Sequence, residues 1–123
     1  MATTAITPEA LSLNTFDLDS LAMTAATTAA DGFLVDVSAY ADHKVLLVFQ
    51  NTNASATART ATIKKGNALQ GVSDLVSGDI AAGKFGMINV ESGRFKLVSG
   101  TNKGKILVVP SHAELKMAAV VLP

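Results

Sequence analysis

Short apolar runs cut by glycine, asparagine and proline turns constrain this chain more than any other feature. Val45-Leu46-Leu47-Val48-Phe49 is a continuous apolar run between Lys44 and Asn51-Thr52-Asn53, the pattern of a central strand buried on both faces. Phe33, Val35 and Val37 alternate with Leu34, Asp36 and Ser38, which predicts a strand with one wetter face. Ala61 and Ile63 alternate with threonines and Lys64 before the turn Lys65-Gly66-Asn67. Phe85 to Val90 follows Ala82-Gly83-Lys84 as a further strand. Glu91-Ser92-Gly93 reads as a turn into a strand Arg94-Phe95-Lys96-Leu97, with its bases outward and Phe95 and Leu97 inward. Lys105 to Val109 is closed by Pro110, and Leu115, Met117, Ala119 and Val121 share one face of a last strand. No stretch after residue 32 repeats at the helical period. The expected fold is all-β: an antiparallel β-sandwich, immunoglobulin-like or jelly-roll-like, with an extended N-terminal arm.

The arm is set apart by charge. Residues 1–43 hold six acids and no base, a charge of −6, and residues 44–123 hold ten bases against four acids, a charge of +6. The neutral total is therefore a cancellation. The first glycine is Gly32, and the stretch before it is mainly Ala and Thr. Such a shift divides the chain into an arm, 1–31, and a sandwich body, 32–123. The arm carries Leu11, Leu13, Phe16, Leu18, Leu21 and Met23 in alternating pairs, which a solvated leader has no use for and which suit extended pieces laid on a surface. A helix from Asp17 to Ala30 is the rival reading, favoured by alanine; the extended form is preferred.

Composition removes several functional classes. The chain has no Cys, so it offers no disulfide framework, thiolate ligand or cysteine nucleophile. Its start lacks the basic and apolar blocks of a secretory signal, and no apolar run approaches the roughly 18–20 residues that span a bilayer. Synthesis in a cytoplasm and no membrane partner are the expectations.

Candidate chemistry fails on its details. Gly78-Asp79-Ile80-Ala81-Ala82-Gly83-Lys84-Phe85 has the glycine and Gly-Lys spacing of a phosphate loop, but Phe85 stands where Ser or Thr would hold magnesium, and strand-like residues follow where a helix is needed. A turn is expected. His43 beside Asp42 and His112 beside Ser111 are neighbours in sequence at strand edges, so their side chains diverge rather than form a relay. Asp17-Leu18-Asp19 begins like a calcium loop, but Leu21 replaces an oxygen ligand and the glycine is missing. No catalytic, metal or cofactor site is expected, and the protein reads as non-enzymatic. Lys64, Lys65, Arg94, Lys96, Lys103 and Lys105 are candidates for one basic face. With one Tyr, no Trp and two Arg, that face lacks the stacking platforms and bidentate readers of a direct nucleic-acid binder.

An acidic, semi-apolar arm on a β-body without chemistry is what a lattice subunit needs. The expected interface comprises Leu11, Leu13, Phe16, Leu18 and Leu21 with Asp17 and Asp19 on the arm, and Lys64, Lys65, Arg94 and Lys96 on the body. Opposite charges would set register and speed encounter.

Turn phrases across the body carry a resemblance: Asn51-Thr52-Asn53-Ala54-Ser55, Ala61-Thr62-Ile63-Lys64-Lys65-Gly66, Leu69-Gln70-Gly71-Val72, Ala82-Gly83-Lys84, Glu91-Ser92-Gly93-Arg94-Phe95-Lys96 and Lys116-Met117-Ala118-Ala119. Over about residues 33–123 the chain resembles small virion proteins of tailed bacteriophages, the head decoration or cement proteins. The resemblance implies a β-sandwich on the capsid exterior, bound to the major capsid protein as a homo-oligomer, with a trimer favoured, and stabilising the head. It transfers no functional residue. A tail-tube or head-tail connector subunit is the alternative within the same class. A host- or carbohydrate-binding module on the virion surface is the alternative outside it, with Tyr40 as its one Tyr.

Overall fold

The computed structural model describes residues 2–17 and 21–123. Among the described residues nine strands form two facing sheets: β1 (Thr4–Ile6), β2 (Glu9–Ala10), β3 (Phe33–Asp36), β4 (Val45–Asn51), β5 (Ala61–Ile63), β6 (Leu75–Val76), β7 (Phe85–Ile88), β8 (Lys105–Pro110) and β9 (Leu115–Val121). One sheet runs β1-β3-β8-β5-β6 and the other β2-β9-β4-β7. The all-β sandwich expected from alternation is the fold.

The long strands β3, β4, β8 and β9 turn apolar residues inward. Phe33 and Val35 of β3, Leu47 and Phe49 of β4, Ile106 and Val108 of β8, and Leu115, Met117 and Ala119 of β9 are all buried in one core. The interior is aliphatic, with Phe33, Phe49 and Phe95 as its phenylalanines. All pairings among β3 to β9 are antiparallel. The two parallel pairings both come from the first ten residues: β1 lies beside β3, with Ile6 opposite Val35, and β2 lies beside β9, with Ala10 opposite Val121.

The sheets are therefore mixed rather than purely antiparallel, and the reason lies in the leader. It runs along one sheet edge, crosses at Thr7-Pro8 to the edge of the other sheet, and returns where Thr24 and Met117 exchange backbone hydrogen bonds of 2.9 Å. Ile6 and Ala26 enter the core of the same chain. The described part of residues 17–30 holds this bridge and a turn at 28–31, and no helix. Gly32 then re-enters the sheet with φ of 72°, its Cα so close to β8 that a Cβ would lie 2.4 Å from the Val108 carbonyl oxygen. Only glycine fits there.

The segment read as a strand at Arg94–Leu97 is a single helical turn, α1 (Ser92–Phe95). The cause is a partner far away in sequence. Asp42 accepts hydrogen bonds from the Ser92 amide at 2.9 Å and hydroxyl at 3.0 Å, satisfying a donor the helix start leaves over. The Gly66 amide donates to the Arg94 carbonyl at 2.8 Å. Phe95 still faces the core, so the inward residue was legible although its backbone was not.

Candidate protein-interaction surface

The two sheets differ at their edges. Only Thr7 and Pro8 separate β1 from β2, so the leader closes the sandwich on that side. On the opposite side β6 and β7 end their sheets, and an apolar cleft of about 550 Å³ opens between them. Phe49, Ile63, Leu75, Ile80 and Ile88 form its wall, and Val76, Phe85 and Met87 stand at its mouth with Asp79 and Lys84. Phe85 and Met87 are 54% and 65% exposed.

The cleft continues onto the outer face of the four-stranded sheet. Register sets Met87, Val48 and Ala118 side by side, with Leu46 and Val120 in the row on one side and Phe85, Gln50 and Lys116 in the row on the other. Inner positions alternate with these, since Leu47, Phe49, Met117 and Ala119 face the core. A face expected to be wet on an antiparallel sheet thus carries six apolar residues. Of these, Val48 and Ala118 are buried and Leu46 and Val120 half-buried, so the exposed apolar surface is Phe85 and Met87 at the cleft mouth; exposed apolar side chains grouped at a cleft mark interaction surfaces in soluble proteins. A second hollow of about 600 Å³ lies on the outer face of the other sheet, where Leu34, Leu107 and Val109 are ringed by Thr3, Asp31, Thr62, Lys64 and Asn102. Its polar rim makes it the less apolar of the two.

The loop read as a turn before β7 is one. Ile80 exchanges two backbone hydrogen bonds with Arg59, at 2.9 and 3.0 Å, and Gly83 turns with φ of 76° into Phe85. Buried Asn51 fixes its start: its side-chain amide donates to the carbonyls of Ile80 at 2.8 Å and Thr57 at 2.9 Å, and its oxygen accepts from the Asn53 amide. Beside it Glu114 accepts from Asn53 at 2.8 Å and from Arg59 at 2.9 and 3.2 Å. Asn53 first, then Arg59, hold its carboxyl below the usual range. This clasp ties the 51–59 loop to the β8–β9 turn.

Of the expected interface residues, the basic group is brought together, but as a partly neutralised set. Lys64 donates to Asp74 at 2.6 Å and the Lys65 amide donates to the same carboxylate, which lowers the Asp74 pKa. The Gly66 bond places this strand end against the helical turn, where Arg94 sits 4.8 Å over the Phe95 ring and donates to Ser73. Lys96 donates to the Val37 carbonyl at 3.2 Å. On the leader, the Leu11 amide donates to the Val121 carbonyl, and Leu21 lines a small hollow with Ile6, Ala118 and Ala119. Leu13 and Phe16 are 76% and 89% exposed. Asp17 is exposed, and Leu18 and Asp19 lie outside the described residues.

His43 sits in a short 3-10 turn, Asp42–Lys44, whose Asp42 carboxylate is committed to Ser92 rather than to the imidazole. His112 Nδ1 accepts from the Glu114 amide, and Ser111 accepts from the Thr60 amide. Among the described residues no group of three or more His, Cys, Asp or Glu side chains is placed to hold a metal ion. No helix among them is long and apolar enough to cross a membrane.

Sequence reading missed the cleft. Its signal lies in the strand Phe85 to Val90, where exposed Phe85 and Met87 alternate with Gly86 and Ile88. Compared with family models, curated proteins and solved structures, the chain finds no match.

Proposed function

We propose that the protein is a non-enzymatic structural subunit of a tailed-phage virion, a decoration or cement protein that binds the major capsid protein on the outside of the head and stabilises it. The observation that carries this reading is the apolar cleft at the open edge of the sandwich, with exposed Phe85 and Met87 at its mouth beside the apolar residues of the four-stranded sheet's outer face. Burying such area on a partner supplies roughly 25 cal/mol per Å², and a surface of this kind serves association rather than catalysis. Support also comes from the −6 and +6 halves of the chain, which favour complementary contacts, and from the turn phrases that resemble decoration proteins. A homo-oligomer, with a trimer favoured, is the form this reading gives it. The carbohydrate-binding alternative has less support, because Tyr40 packs against the core and offers no open platform.

Co-sedimentation with purified capsids of the phage whose genome carries the gene tests the proposal. Saturable binding, with capsids that withstand higher temperature once decorated, is expected. Leu46→Glu, which puts a charge on the apolar face, should weaken it at least tenfold. Failure of the parent protein to sediment with capsids, or binding of Leu46→Glu at parent affinity, would overturn the reading.

A further inference from the structure

We propose that a platform built by residues 64–73 and 92–105 docks on an acidic protein surface with an apolar recess, carried by the capsid. This rests on the assembly reading above and names the chemistry of the surface that receives the protein.

The two segments are stitched together. The Gly66 amide donates to the Arg94 carbonyl at 2.8 Å, and Arg94 reaches the Ser73 hydroxyl at 3.1 Å. The Asn67 side chain accepts from the Val98 amide at 2.8 Å and donates to the Ser99 hydroxyl at 3.1 Å. The backbones lie so close that a Cβ on Gly66 would sit 2.5 Å from the Lys96 carbonyl oxygen. Within the loop, the Gly71 amide donates to the Ala68 carbonyl and the Val72 amide to the Gln70 carbonyl. A loop held this firmly has met its ordering cost before a partner arrives. It nevertheless turns apolar side chains outward: Leu69 is 101% exposed, Val72 76%, and Val98 on the neighbouring segment 49%. Apolar side chains grouped on a fixed backbone mark a contact surface.

Charge states which kind of partner. Residues 64–73 and 92–105 hold six bases, Lys64, Lys65, Arg94, Lys96, Lys103 and Lys105, and no acid. The acids that border them are Asp36, Asp42, Asp74 and Glu91. Asp74 is paired with Lys64, Asp36 accepts from Ser38 and Asp42 from Ser92. Lys65 and Lys103 are exposed and make no ion pair among the described residues. A facing surface of carboxylates complements them and steers the encounter. The aliphatic apex separates such a surface from other anions. Leu69 and Val72 offer no donor to a phosphate backbone. Neither segment has a Tyr or Trp to stack on bases or to anchor at lipid headgroups.

Carbodiimide coupling, which joins a lysine amine to a carboxylate in contact with it, tests the proposal on the full chain bound to purified capsids. Mass spectrometry should find Lys65 or Lys103 joined to an Asp or Glu of the capsid protein. In co-sedimentation, Leu69→Asp and Lys65→Glu/Lys103→Glu should each bind at least tenfold more weakly. Both should keep the parent's melting temperature, because all three side chains are exposed. Parent binding should weaken between about 50 and 500 mM salt, and more steeply than that of the lysine variant, because exposed pairs are screened. A parent that binds capsids while both variants match its affinity, or with no link from Lys65 or Lys103, overturns the proposal and leaves the assembly role standing. A parent that binds no capsid overturns both. Links from these lysines to a second copy in place of the capsid give the platform another occupant and overturn the proposal. So does retention of the parent, with loss on Leu69→Asp, by a DNA duplex or by vesicles of phosphatidylcholine and phosphatidylglycerol in equal parts.

Discussion

Replacing Ile6 by Ala tests whether the leader is part of the fold in solution. Ile6 is 5% exposed, sits in β1 opposite Val35, and belongs to the same core as Phe33 and Ile106. The change removes three carbons, at about 0.8 kcal/mol each, and leaves a cavity that an edge strand can partly collapse into. A loss of about 2.5 kcal/mol follows. For a chain of this size the unfolding entropy is roughly 0.26 kcal/mol per K, so the midpoint should fall by ~10 °C. Differential scanning calorimetry reads the shift. The control is Ala5→Ser, on the exposed side of the same strand, which should stay within ~2 °C of the parent because it empties no core space. If Ile6→Ala melts with the parent, the β1–β3 pairing contributes nothing in solution and the leader is a free arm.

Three further outcomes are expected. Gly32→Ala forces a side chain into positive φ against the Val108 carbonyl; it should destabilise by more than about 2 kcal/mol, seen as a lower urea midpoint. Asn51→Leu removes the side-chain donor from the Ile80 carbonyl, which keeps the Arg59 amide, and unpairs the Thr57 carbonyl and the Asn53 amide; with these groups part-exposed it should cost about 1–3 kcal/mol, and a shift under 2 °C would show the loop is held otherwise. Asp36, Asp42, Asp74 and Glu114 all have carboxyl pKa values lowered by their partners: Ser38 for Asp36, Ser92 for Asp42, Lys64 for Asp74 and Asn53 for Glu114. Because the unfolded chain binds protons first, their stabilisation is complete above the usual carboxylate range near 4 and is lost as pH falls through the lowered values. The melting temperature should hold from pH 7 to about 5 and drop below 4; a flat profile down to pH 2 would refute the assignment.

The body was largely legible because alternation is local. Val45 to Phe49 announces a strand wherever it lies, and the inward parity of Leu115, Met117, Ala119 and Val121 is the parity found in β9. The same logic failed at Phe95, where apolar spacing fixed which side chain is buried but a carboxylate fifty residues upstream, Asp42, decided that the backbone turns helical. In the leader, the residues that form strands were not those that alternate. Leu11, Leu13 and Phe16 drew attention, yet β1 and β2 are built from Thr4-Ala5-Ile6 and Glu9-Ala10, which show no amphipathic period. What makes them strands is the free edge each finds beside β3 and β9.

By itself the sequence determined the fold class, most strand positions, the core-facing residues and the separation of charge. Each is written in neighbours along the chain, through a period of two and the turn chemistry between runs. Only the tertiary structure decided which edge is closed and which open, that the first ten residues join both sheets in parallel, and that Phe85 and Met87 flank an apolar cleft. Those outcomes depend on backbone groups and side chains that meet across dozens of residues, and no local pattern records which partner an edge will take.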